Sequence, residues 1–97
     1  MVSNGAPAWS FLTNHARVML CIAQDPAIRL REIGEVAGIT ERAAHRIVAE
    51  LSDAGYLTRK RVGRRNTYVI HADLPLPGAL TRNQRVGDLL SALASPV

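Results

Sequence analysis

Leu30-Arg31-Glu32-Ile33-Gly34-Glu35-Val36-Ala37-Gly38-Ile39-Thr40 decides how this chain is read. Leu30, Ile33, Val36 and Ala37 recur at the spacing of one helix face. Gly38 follows as a stop, because a left-handed C-terminal residue costs least when it is glycine. Thr40 is a good N-cap for the next helix. Between stop and cap lies only Ile39, an apolar residue able to plug the angle between two helices. The stretch therefore predicts a short helix, a tight turn and the start of a second helix.

Working outward, Ala44, Ile47, Val48 and Leu51 form the apolar face of the helix that Thr40 opens, and Asp53-Ala54-Gly55 closes it, with Gly55 as the residue past its end. Once that face is buried, Glu41, Arg42, Ala43, His45, Arg46 and Ala49 must look outward. Upstream, Thr13 caps an earlier helix whose apolar residues are Ala16, Met19, Leu20 and Ala23. Asp25-Pro26 ends it, since the residue before proline avoids the α region. Ile28-Arg29-Leu30 reads as a minimal strand. Downstream, Tyr56 to Val62 and Thr67 to Ile70 read as two strands joined by a four-residue turn, Gly63-Arg64-Arg65-Asn66. Leu57 points inward, Tyr68 and Ile70 share a face, Arg59 and Arg61 share the parity of Leu57, and Lys60 points the other way.

Charge is concentrated in this hairpin. Five of the seven residues from Arg59 to Arg65 are basic, whereas the whole chain carries only +4, so the remainder sums to −1. A charged hairpin can serve solubility alone, but mixed signs would serve that equally well. Five like charges repel one another without return unless an anion is bound, and nucleic acid is the first polyanion to consider.

The 97 residues suit one domain, and a hydrophobic fraction of 47% is enough for a modest core. Four aromatic residues, Trp9, Phe11, Tyr56 and Tyr68, are too few for a platform that stacks single-stranded bases. The one cysteine, Cys21, excludes an internal disulfide and lies in an apolar helical stretch, as a small buried hydrophobe would. No cofactor is expected. His15, His45 and His71 are dispersed, which tells against a metal sensor. No phosphate loop, carboxylate pair or nucleophile-base motif suggests an enzyme. With no secretory signal and no membrane-length apolar run, the expectation is a cytoplasmic protein.

With these elements in this order, residues 13 to 71 resemble a winged helix-turn-helix domain of the kind found in MarR-like and ArsR-like bacterial regulators. The residues that carry the resemblance run from Leu30 to Thr40 and through Arg46 and Leu51 to Gly55-Tyr56-Leu57. The Gly63-Arg64-Arg65-Asn66 turn, with Tyr68 beyond it, resembles the wing. The expected fold is mainly α with a small antiparallel β-wing, in the order α-β-α-α-β-β plus a C-terminal helix. Residues 1–12 would be a flexible arm anchored by Trp9 and Phe11. Residues 13–72 would be the DNA-binding domain, 73–80 a Pro-rich linker, and 81–94 the last helix.

The resemblance implies a sequence-specific regulator of transcription, most simply a repressor, with double-stranded DNA as its partner. Residues 40–54 would enter the major groove as recognition helix. Residues 59–67 would lie on the backbone or minor groove. The site residues are Thr40, Glu41, Arg42, Ala43, His45 and Arg46 on the helix, and Lys60, Arg61, Arg64, Arg65 and Asn66 on the wing. Arg42 and Arg46, four apart, share a side and can each reach guanine or phosphate. Ala43 could touch a thymine methyl group. Val86, Leu89, Leu90 and Leu93 form a last apolar stripe, expected either to build a homodimer or to pack back onto the first helix. The rival function is a winged-helix adaptor for protein contacts. The sequence names neither an operator nor a small-molecule effector.

Overall fold

In the computed structural model, which describes residues 8–94, helix α1 spans Asn14–Gln24 and begins where Thr13 Oγ1 accepts from the Ala16 N–H. Helix α2 spans Leu30–Ala37 and ends on Gly38 at φ 75°. Helix α3 spans Glu41–Asp53, with Thr40 Oγ1 accepting from the Ala43 N–H at 3.0 Å. Strands β1, Leu57–Val62, and β2, Arg65–Ile70, pair antiparallel, and helix α4, Val86–Ala94, closes the order. This is a winged helix with a C-terminal helix.

The core lies where α1, α2 and α3 meet, around Val18, Ile22, Ile33 and Ile47, all fully buried. Leu57 and Tyr68 close it from the hairpin, so the same packing that holds the helices sets the angle of the wing. Among the described residues no helix is long and apolar enough to cross a membrane.

Several expectations are corrected. The strand at 28–30 does not form. The Ile28 N–H donates to the Asp25 carbonyl, and the Arg29 N–H to Glu32 Oε1 at 3.1 Å, so these donors close a turn and a helix start. The hairpin is tied to this segment by one backbone bond, from the Tyr68 N–H to the Pro26 carbonyl at 2.9 Å. The hairpin turn is also tighter than its spacing suggests. Val62 pairs with Arg65, so only Gly63 and Arg64 lie outside the strands. Gly63 has φ 62° and Arg64 a negative φ, an order of signs that suits a two-residue turn with glycine first. Asn66 needs no left-handed conformation there.

Two helix faces shift. On α1, Val18, Met19, Cys21 and Ile22 are buried while Ala23 is exposed. On α2, Val36 looks into solvent, 70% exposed. Trp9 and Phe11 do not anchor the arm in the core. Their rings meet edge to face at 5.0 Å, and both are exposed. Residues 1–7 of that arm lie outside the described residues.

The last helix begins at Val86, not near Thr81. Its start is set by Asp88 Oδ2, which accepts from the Arg85 N–H at 2.8 Å. The proline segment is not structureless either. Pro75 bridges to Arg85, the Leu76 N–H donates to the Gln84 carbonyl, and the Val86 N–H donates to the Leu74 carbonyl. Prolines fit because Pro75 and Pro77 flank the donor Leu76. Val86 and Leu90 are buried in the same core as α1, whereas Leu89 is half-buried and Leu93 is 45% exposed. Half of the stripe expected to build a dimer is therefore used within the chain.

Candidate nucleic-acid interface

The turn between α2 and α3 places the interface. Gly34 is buried in α2, and a Cβ there would stand 2.8 Å from the Ile39 carbonyl oxygen and 3.2 Å from the Glu41 nitrogen. The two helices approach so closely that only a hydrogen fits. The Ile39 N–H also donates to the Gly34 carbonyl at 2.9 Å. Gly38 supplies the reversal and Gly34 supplies the proximity. In the sequence only Gly38 and Ile39 stand out as turn residues, because Gly34 lies within a helical period.

With Ala44, Ile47 and Val48 buried, Glu41, Arg42, His45, Arg46 and Ala49 are exposed and Ala43 is half-exposed. Thr40, Arg42, Ala43, His45 and Arg46 line one shallow groove along α3. Arg42 and Arg46 thus share a surface with a small residue between them, which can admit an edge of a base. Thr40 Oγ1 accepts from the Ala43 N–H and so directs the helix start, while its O–H remains a donor on the same groove.

Register sorts the wing into two faces. Arg59 stands opposite Tyr68 and Arg61 opposite Asn66, on the face of Leu57 and Ile70. Lys60 stands opposite Thr67 and Val62 opposite Arg65, on the other face. Arg64 alone of the basic residues is at the tip. Lys60, Arg61, Arg64 and Arg65 are exposed, and Asn66 is half-buried. The Arg61 side chain donates through Nε to the Gly63 carbonyl at 3.3 Å, which holds it along the turn. Arg59 lies beside Tyr68 and shares a groove with His45, Ala49 and Asp53 of α3, joining wing to helix. Burial pushes the Tyr68 phenol above its ordinary range, and the Arg59 charge opposes that shift.

The fold also brings in residues that the sequence reading overlooked. A groove of about 510 Å³ runs between the wing and the start of α2, lined by Arg29, Arg31, Glu41, Arg64, Arg65 and Asn66 among others. Four arginines from two distant segments converge there with a single carboxylate. The four guanidinium groups give this groove the charge that an anion such as phosphate would complement. The alternation of Ile28, Arg29 and Leu30 reads as a strand and Arg31 as an exposed residue of the next helix, which separates the two arginines. Their charge was the only signal available.

A second connection was also hidden. Glu50, one turn beyond Arg46, bridges two partners. Its Oε2 accepts from Arg46 Nη1 at 3.3 Å, and its Oε1 lies 2.7 Å from His15 Nε2 on α1. The hydrogen bond from His15, with a smaller contribution from the Arg46 charge, holds the Glu50 carboxyl below the ordinary glutamate range. Among the described residues, no three His, Cys, Asp or Glu side chains gather to hold a metal ion. Burial raises the Cys21 thiol above its usual value.

A turn that presents one helix across another, followed by an antiparallel hairpin, defines the fold class: a winged helix-turn-helix. Residues 13–58 match the family described as winged helix-turn-helix DNA-binding. The match spans just under half of the chain and stops at Thr58, before the basic run, so the wing is established by the fold. No curated protein matches the chain.

Proposed function

We propose that this protein is a sequence-specific transcriptional regulator that represses by occupying double-stranded DNA. Residues 40–54 would enter the major groove and residues 59–67 would follow the backbone into the minor groove. The observation that carries the reading is the shared outward surface of Arg42, Ala43, His45 and Arg46, flanked by a wing with one sign of charge. Arg42 and Arg46 would read bases, and Arg29, Arg31, Lys60, Arg64 and Arg65 would hold phosphates. Arg61 and Asn66 would support the wing contacts, and Glu41 would bias the helix start against misplaced phosphate.

The reading extends to a MarR-like or ArsR-like regulator in the cytoplasm, acting as a homodimer, with no catalytic role. A dimer would read two half-sites about one helical turn apart. Because Val86 and Leu90 are internal, its α4 contribution would come from Leu89 and Leu93. Selection of bound sequences from random duplexes by the purified protein tests this. A palindromic motif is expected. Absence of any enriched sequence would overturn the reading in favour of an adaptor.

A further inference from the structure

We infer that His15, on helix α1 and outside the DNA-facing surface, is a positioning residue for Arg46, acting through Glu50. The inference rests on the reading of Arg46 as a base contact.

Arg46 is a long side chain, 60% exposed, on the helix proposed to read sequence. Left alone it would sample many rotamers, and ordering it on DNA would oppose binding. Glu50 restrains it through one guanidinium nitrogen, Nη1. The other donors of the guanidinium fork remain available to a base. An i,i+4 pair at a surface is weak by itself, because the carboxylate is as free to swing as its partner. Here it is not free. The second oxygen is bound to His15 Nε2 at 2.7 Å, across 35 residues of sequence. One carboxylate thus joins α1 to the reading surface of α3.

His15 has few alternatives. Its ring borders an apolar cavity of about 260 Å³, lined by Met19, Leu51, Leu76, Leu89 and Leu90 among others. The polar side chains of that lining are engaged elsewhere. Thr13 Oγ1 accepts from the Ala16 N–H, the Tyr56 hydroxyl donates to the Pro75 carbonyl, and the Thr81 hydroxyl donates to the Pro77 carbonyl. Among the described residues Glu50 is the one polar side chain that His15 bonds. The ring, 44% exposed, lies between that apolar lining and the carboxylate, and through Glu50 it biases the direction of Arg46 from the body of the domain.

The test is base preference, measured by selection and competition on duplex DNA for the unaltered protein and for Arg46→Ala, His15→Ala and His15→Gln. Arg46→Ala should abolish preference at one position of each half-site. His15→Ala should reduce preference at that same position by up to about fivefold, less than Arg46→Ala does, and change no other position. His15→Gln, whose amide N–H can replace Nε2–H, should restore it. Affinity for unrelated duplex should not change in either His15 variant. Should His15→Ala fail to fold, Glu50→Ala provides the same readout at the same position.

If Arg46→Ala shifts the preference while His15→Ala and Glu50→Ala do not, the positioning role is overturned and Arg46 stands as a base contact. Equal loss at every position would likewise overturn it, since that is what mere destabilisation produces. If Arg46→Ala changes no preference, the reading of Arg46 falls, and the role of His15 falls with it.

Discussion

At the scale of single residues, the features that organise the interface are small contacts with large geometric consequences. Gly34 lets α2 approach the turn closely, since a Cβ would meet backbone atoms rather than a movable side chain. Alanine in a helix is ordinarily favoured over glycine by about 1 kcal/mol. Overpacking against backbone costs about 1–3 kcal/mol, so the clash should win. Gly34→Ala is expected to lower stability in a urea titration by up to about 2 kcal/mol. Unchanged or higher stability would mean that the turn yields easily.

Glu50 offers a second residue-scale check. Its folded-state pKa is depressed, mainly by the His15 hydrogen bond. The associated stabilisation is therefore present above the ordinary glutamate range and is lost as pH falls through the depressed value. A carboxyl NMR titration should place the Glu50 midpoint below that of an ordinary glutamate, and His15→Ala should raise it. An unchanged midpoint in that variant would show that His15 contributes nothing to the carboxylate. Neither Gly34 nor Glu50 was legible as functional in the sequence. A glycine within a helix looks like a weak helix former, and an Arg-Glu pair four apart looks like a solvated face.

At the scale of elements, the wing and α2 divide the electrostatic work. If each subunit neutralises roughly three to five phosphates, log K should fall against log salt with a slope of about −3 to −4.5 per subunit. Arg64→Ala with Arg65→Ala should weaken all sequences alike and reduce that slope by about 2. Arg29→Ala with Arg31→Ala should do the same, because the groove joins these four residues. Titrations at several salt concentrations measure both. A change in preferred sequence, with the slope intact, would mean that these arginines read bases. The basic run of the wing was evident from composition alone. That Arg65 stands on the Lys60 face rather than at the tip follows from register, which a two-residue turn sets and a four-residue turn would have changed.

At the scale of the whole molecule, α4 belongs to the core. Val86 and Leu90 close α1 from outside the three-helix unit, and the Gly87 N–H bonds the Ala72 carbonyl to seat the helix. Leu90→Ala should cost about 2–4 kcal/mol, as expected for a buried leucine. Deleting residues 79–97 should leave α1 uncovered and abolish cooperative unfolding, as followed by circular dichroism. A deleted chain that still folds fully would return α4 to a role purely between subunits. The apolar stripe of α4 showed that this helix needed a partner. It could not show which partner, because hydrophobic burial is not directional and the same stripe suits a second copy or the chain itself.

The sequence by itself determined what depends on neighbours in the chain. Thr13 and Thr40 cap helices with their own side chains, Gly38 reverses the backbone, and the period of Ala44, Ile47, Val48 and Leu51 assigns the inner and outer faces of α3. Tertiary structure alone decided what depends on distant segments meeting. It placed Arg29 and Arg31 beside the wing, turned Val36 out and Ile22 in, committed Val86 and Leu90 to α1, and joined His15 to Glu50. The reason is physical: caps and periods act within one or two turns of chain, whereas grooves, ion pairs and core membership depend on how helices are positioned by one another.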